Sequence, residues 1–184
     1  MPSAGKALAV VAHPDDCIIF ALPFIEKHNQ FNWHIAYLTY TKIDPRAHEV
    51  SNFWAQKKIT TEFLGFVDDY QDQQTQKFNF WDPAEAEKNI HRAINAYEPD
   101  FILTHNQDGD YGHIHHKLVS NSVAKTNIPQ IYFASTFNAT DEFEAQEYDL
   151  DTLPMHKNVI EDFQDRLIGR YIITDRARSV LVCK

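Results

Sequence analysis

Apolar and polar positions fall in blocks that switch between strand-like and helical spacing along the chain. Ala7-Leu8-Ala9-Val10-Val11-Ala12 is apolar throughout, as a strand buried on both faces requires. Ile18, Ile19, Leu22, Phe24 and Ile25 share one helical face, and the spacing predicts a helix over 16–28. His34–Tyr40 reads as the second strand. Asp44-Pro45 combines a capping residue with a first-turn proline and starts a helix that runs to about Lys58. Thr61–Phe66 is the third strand, and the polar, Gln-rich stretch 67–80 reads as a loop. Asp82-Pro83 repeats the start signal for a helix to about Tyr97, which Pro99 ends. Phe101–His105 is the fourth strand, and 106–112 is a loop holding Gly109 and Gly112. A helix to about Lys125 and a fifth strand over Gln130–Ser135 follow. Residues 142–150 read as a further strand and 154–167 as a helix; the last fifteen residues give no clear pattern.

Strands and helices in strict alternation predict an α/β fold: a Rossmann-like, three-layer sandwich with a mostly parallel sheet. No linker, repeat or low-complexity segment interrupts the 184 residues, so a single domain over 1–184 is expected. The glycines narrow this further. They stand at positions 5, 65, 109, 112 and 169, and none forms a Gly-x-Gly-x-x-Gly turn or a Walker-type loop. Dinucleotide binding is therefore disfavoured, because the backbone has no close approach to a pyrophosphate.

The net charge of −9 argues against nucleic acid or an anionic membrane as partner. No apolar run approaches the ~20 residues of a membrane span. The start of the chain lacks a signal-peptide layout, and Cys17 and Cys183 make no disulfide framework, so a cytoplasmic location is expected. The aromatic residues are mostly core; Trp54, Tyr70, Trp81 and Tyr111 read as loop residues able to form a flat platform for a sugar.

Two clusters carry the chemistry. His13-Pro-Asp15-Asp16 follows the first strand, and His113-Ile-His115-His116 follows the loop after the fourth. In a parallel sheet both sit at the carboxyl edge, where they can meet. Taken alone, Asp15 and Asp16 also suit a helix cap and first-turn acid, and a lone histidine suits a loop. Together they offer two histidines and one or two carboxylates, an arrangement known for catalytic zinc and, in facial form, iron(II). His113 and His116 share a helix face, whereas His115 points roughly 100° away and is not needed at the same site. The leftover carboxylate is a candidate base for a water acidified by the metal.

At these residues the chain resembles the PIG-L/LmbE family of zinc-dependent deacetylases, which remove acetyl from N-acetylglucosaminyl groups. The resemblance rests on Ala12-His-Pro-Asp-Asp16, Tyr111-Gly-His-Ile-His-His116, Arg46-Ala-His-Glu49 and the Pro99–His105 strand, and covers roughly residues 5–126. It implies one Zn2+ (Fe2+ being the other candidate) bound by His13, Asp16 and His116. It implies Asp15 as general base, Tyr111 and His113 as oxyanion stabilisers, His113 as proton donor to the leaving amine when charged, and Arg46 as a contact to a substrate hydroxyl or anionic group. The implied substrate is a small amino-sugar derivative. The alternatives are hydrolysis of another amide or ester, or metal or sugar binding without turnover. Two departures stand out. His115 occupies a position where the family often has an acid that charges the first histidine, leaving Asp108 or Asp110 to supply that charge. Cys17–Pro23 replaces a Gly-rich stretch and makes the site floor bulkier.

Overall fold

The computed structural model describes residues 4–134, 140–143, 150–162 and 169–182. The strands are β1 (Lys6–Val11), β2 (Asn32–Thr39), β3 (Thr60–Phe66), β4 (Phe101–Thr104), β5 (Gln130–Phe133), β6 (Asp141–Phe143) and β7 (Gly169–Ile173). They form one seven-stranded sheet in the order β3-β2-β1-β4-β5-β7-β6. Five neighbouring strands are parallel; β7 runs antiparallel to β5, and β6 antiparallel to β7. The chain moves from β1 to β2 on one side and later returns to place β4 on the other. That reversal opens a crevice at the carboxyl ends of β1 and β4, the place where open α/β sheets hold their sites.

Alternate residues of β1 divide the core into two layers. Ala7, Ala9 and Val11 face a cluster with Ile18, Leu22, Phe24, Val50 and Trp54. Leu8, Val10 and Ala12 face Ala86, Ile90, Ala93, Ile94, Val119 and Val123. Each layer is covered by helices of matching period. In α2 (Pro45–Gln56) the buried residues are Ala47, Val50, Phe53 and Trp54, and in α4 (Pro83–Tyr97) they are Ala86, Ile90, Ala93 and Ile94. Both helices begin as expected: Asp44 and Asp82 accept from the amides of Arg46 and Ala84 ahead of each proline. α6 (Ile114–Ala124) lies beside α4 on the second layer.

Several expectations need correction. The helix expected over 16–28 starts with a wide turn of π type, Cys17–Ala21, before α1 (Leu22–Lys27), because Pro23 has no amide hydrogen to continue a regular ladder. Stretch 67–80 contains a helix, α3 (Tyr70–Thr75), capped by Asp69 on the Gln71 amide. It lacks an apolar stripe because its buried residue is a carboxylate, Asp72. The single turn α5 (Gly109–Gly112) sits in the loop after β4. Of the strand expected over 142–150, Asp141–Phe143 is strand and Leu150–Thr152 is a 3-10 turn; 144–149 lie outside the described residues. Of the helix expected over 154–167, α7 (Lys157–Asp162) is described and 163–168 are not. The final stretch holds β7 and α8 (Asp175–Val182). Tyr171 of β7 is buried and donates to the Phe20 carbonyl at 2.7 Å, which ties this edge of the sheet to the site floor. Among the described residues no helix is long and apolar enough to cross a membrane.

One buried pair tests the packing under the site. Trp54 Nε1 donates to Tyr37 Oη at 2.9 Å, with both residues fully buried. Tyr37→Phe leaves that N–H without an acceptor and should cost about 1–3 kcal/mol. The expected result is a lower urea midpoint at unchanged slope; an unchanged midpoint would show that the bond contributes nothing.

Candidate metal centre

The strand ends deliver the site residues to one place. His13, Asp15 and Asp16 follow β1, Tyr40 follows β2, Asp68 follows β3, and His105 ends the run after β4. Thr39 and Thr104 donate their hydroxyls to the carbonyls of Ala12 and Val10, which fixes the strand ends against each other. Gly109 takes φ +71°, and an added Cβ there would lie 2.8 Å from Lys117 Cγ, so the turn into α6 needs glycine. Asp110 follows in the left-handed region at φ 62°, which turns its carboxylate back under the histidines.

His13, Asp16 and His116 converge. His13 Nδ1 lies 3.1 Å from His116 Nε2 and 3.3 Å from Asp16 Oδ2, and His116 Nε2 lies 3.4 Å from Asp16 Oδ1. The Asp16 carboxylate also accepts from the His13 amide at 2.6 Å, closing the loop as a cap. All three residues are buried. His116 Nδ1 donates to Asp110 Oδ2 at 2.9 Å, so its Nε2 presents a lone pair to His13 and Asp16. Two imidazole nitrogens and a carboxylate around one point suit a divalent ion of the zinc or iron(II) kind. Without an ion, burial opposes charge on His13, but Asp16 and Asp68 outweigh it and raise the ring to about 10. Asp16 is likewise held well below the usual carboxylate range: burial resists, and His116, His13 and His105 prevail.

Three other donor groups overlap this one: Asp16 with His105 and His116, His13 with His113 and His116, and His13 with Asp68 and His115. Proton positions separate them. The Ala12 amide donates to His105 Nε2 at 3.0 Å, which requires a lone pair there and leaves the proton on Nδ1 for Asp110. Burial opposes charge on His105, but Asp110 and Asp16 outweigh it and raise the ring to about 9, whereas the hydrogen bond from the Ala12 amide is made only by the neutral ring. His113 caps α6, its Nδ1 accepting from the His115 amide at 3.2 Å. That lone pair is thus engaged with the helix terminus, and the remaining Nε2–H is a donor. Burial first, then the neighbouring His13 and His116, push His113 down to about 2.

The remaining expected residues rim a cleft of about 290 Å3, lined by His13, Asp15, Arg46, Asp68, Tyr111 and His113 among others. Asp15 lies outside the His13–Asp16–His116 set, with Arg46 Nη2 3.4 Å from its Oδ2. Burial, then the adjacent Asp16, raise its carboxyl. Arg46 Nη1 donates to Tyr40 Oη at 2.7 Å, and Tyr40 donates to Asp68 at 2.9 Å. Tyr111 is half-exposed, its ring 5.8 Å from that of His113. Of the four suggested platform aromatics, Tyr70 and Tyr111 line the cleft, Trp54 is core, and Trp81 packs on the second layer. The larger cavity, about 1190 Å3, is at the opposite edge of the sheet between Lys6, Trp33, Lys58 and Asp100.

Three expectations about individual acids and bases change. His115 does enter the cluster, its Nδ1 3.1 Å from His13 Nε2. Asp110 serves His105 and His116, and at His113 the negative charge of Asp16 is outweighed by burial and by His13, His116 and His115. Asp68 and Asp72 were hidden in a stretch read as loop; the signal that could have found Asp68 is its position directly after a strand of the parallel sheet.

The family model described as PIG-L: GlcNAc-PI de-N-acetylase matches residues 8–127, more than half of the chain. An uncharacterized protein of Acanthamoeba polyphaga mimivirus is 26% identical over 140 residues, covering 68% of this chain and 59% of that protein. The chain thus spans about three fifths of the length of this curated relative. Among solved structures, a deacetylase in the biosynthesis pathway of teicoplanin covers 92% of this chain and 99% of its own, with a TM-score of 0.60 at 11% identity. The A40926 pseudoaglycone deacetylase covers 90% and 84%, with a TM-score of 0.57 at 13% identity. The 4-carboxy-2-hydroxymuconate hydratase of Pseudomonas putida covers 89% and 82%, with a TM-score of 0.60 at 14% identity. These structures share the fold, and the fold alone serves more than one reaction. The matched stretch, by contrast, spans both histidine motifs and the sheet edge that joins them, and the chain belongs to the PIG-L family.

Proposed function

We propose that the protein is a metal-dependent N-deacetylase acting on a small N-acetylglucosamine-type derivative. The observation that carries this reading is the division of labour after β1. His13 Nδ1, Asp16 and His116 Nε2 face one another within 3.1–3.4 Å, while Asp15 stands beside them at the cleft and is tied to Arg46. Bound by those three residues, zinc or iron(II) would supply a Lewis acid for the amide carbonyl and a lowered pKa for water.

The chain's own groups account for the rest of an amide hydrolysis. Asp15, its carboxyl raised by burial, takes a proton from the attacking water and returns it to the departing nitrogen. The C–N bond breaks to give acetic acid and a free amine, one hydrogen of the water ending on the acid and the other on the nitrogen, so the proton count closes. The neutral His113 ring, anchored through Nδ1, offers Nε2–H to the developing oxyanion, with the Tyr111 hydroxyl as second donor. This assigns the proton to Asp15, since a His113 ring that caps the helix through a lone pair does not hold a spare one. Arg46 and Asp68, bridged by Tyr40, offer a cation and an acceptor at the cleft rim for substrate hydroxyl or anionic groups. At about 290 Å3 the cleft is at the small end of ligand pockets, which favours one sugar ring with its acetamide.

Zinc content and acetate release from N-acetylglucosamine conjugates test the assignment. Asp15→Asn should lose about 10²–10⁴-fold in kcat while retaining metal, and His116→Ala should lose both metal and activity. Equal turnover by wild type and Asp15→Asn would refute the mechanism. Tyr111→Phe should lower kcat by about 10²-fold with KM nearly unchanged, the pattern of a group that acts on the transition state; a rise in KM alone would make Tyr111 a binding residue.

A further inference from the structure

His115, where the family pattern often has an acid, and the buried Asp72 both lie outside the chemistry assigned above. His13 Nε2, Asp68 and His115 also form a third group of ligand-type atoms, on the far side of the His13 ring. Counting protons connects these features. His115 Nε2 is 3.2 Å from Asp72 Oδ2, so this nitrogen carries the hydrogen and Nδ1 carries a lone pair. That Nδ1 lies 3.1 Å from His13 Nε2. The other nitrogen of the same ring faces His116 and Asp16. A His13 ring that gives Nδ1 to a metal keeps its hydrogen on Nε2, where His115 Nδ1 at 3.1 Å is the nearer acceptor and Asp68 Oδ1 at 3.4 Å the farther one.

Both relay members are held in place. Asp72 Oδ1 accepts from the Asn79 amide at 2.9 Å and from Asn79 Nδ2 at 2.8 Å, which leaves Oδ2 for His115. The His115 ring stacks on Phe78 at 6.0 Å and 15° and meets Trp81 at 5.4 Å. Asp72 and His115 are both 0% exposed. The polar helix α3 then has a purpose in the fold: it carries Asp72 to the back of His115.

We propose that Asp72 and His115 form a buried hydrogen-bonded relay that locks His13 in the tautomer ligating through Nδ1, making His115 a positioning residue for the metal. The inference rests on the metal-site reading under Proposed function. A second ion held by His13 Nε2, Asp68 and His115 would require His13 to lose both ring protons, whereas the relay requires the loss of one. Ligand histidines whose other nitrogen loses its partner bind metal about 10–100-fold more weakly.

The test is zinc titration against a competing chelator, with long-range ¹H–¹⁵N spectra of the His13 ring in the loaded protein. Wild type should bind one zinc, with the His13 proton on Nε2. His115→Phe should weaken zinc about 10–100-fold, and His115→Asn, which keeps a carbonyl acceptor near the Nδ1 position, should recover most of the loss. Because His115→Phe strands the Asp72 charge, the double variant His115→Phe with Asp72→Asn is measured beside it and should show the same weakening in a folded protein. Unchanged zinc affinity and tautomer in the folded variants would overturn the relay. So would a second zinc equivalent that disappears with His115→Phe, since His115 would then be a ligand. A wild-type protein that binds no zinc fails at the earlier step and overturns the deacetylase reading with it.

Discussion

One imidazole ring, that of His13, governs the proton positions of the whole centre. Its two nitrogens face the ring nitrogens His116 Nε2 and His115 Nδ1, each 3.1 Å away, and behind them the carboxylates of Asp16 at 3.3 Å from Nδ1 and Asp68 at 3.4 Å from Nε2. Each of those histidines is oriented by a carboxylate behind it, Asp110 for His116 and Asp72 for His115. Acceptors face the ring on both sides, the histidine nitrogens being the nearer ones, and an ion can replace one of the donated protons. The histidine at the α6 cap and the one after β4 each accept a hydrogen bond from a backbone amide. The fold supplies the setting. Only the reversal of strand order between β1 and β4 brings the turns after both strands to one crevice.

The parts of this that were legible in the sequence are those with a period or a motif. β1 announced itself by six apolar residues in a row, and Asp44-Pro45 and Asp82-Pro83 marked the helix starts. That the two histidine motifs meet follows from placing them at the ends of parallel strands; the choice of His13, Asp16 and His116 within them is what the family resemblance implies. The place of His115 is not legible because helical spacing sets it about 100° from His116 and says nothing of a ring that is reached from both sides, as His13 is. α3 was invisible because a buried aspartate takes the place of an apolar stripe, and a tertiary hydrogen bond has no period in sequence. β7 carries no readable period because it is five residues long and its order comes from tertiary contacts, the antiparallel pairing with β5 and β6 and the Tyr171 bond to the Phe20 carbonyl.

The same fold in deacetylases and in a hydratase shows how little of the reaction resides in the sheet. What distinguishes this chain lies in a few side chains at one edge. The base candidate stands apart from the ligand candidates, the helix-capping histidine is kept neutral, and the usual acid is replaced by a histidine with its own acid behind it.

The central claim is the identity and proton state of the ligand set. It is tested most directly by a crystal structure of the zinc-loaded protein with anomalous data at the zinc edge. The account predicts one anomalous peak, bound by His13 Nδ1, an Asp16 oxygen and His116 Nε2 at about 2.0–2.2 Å, with His115 Nδ1 still hydrogen-bonded to His13 Nε2. A peak on the other side of the His13 ring, bound by His115 and Asp68, would contradict it.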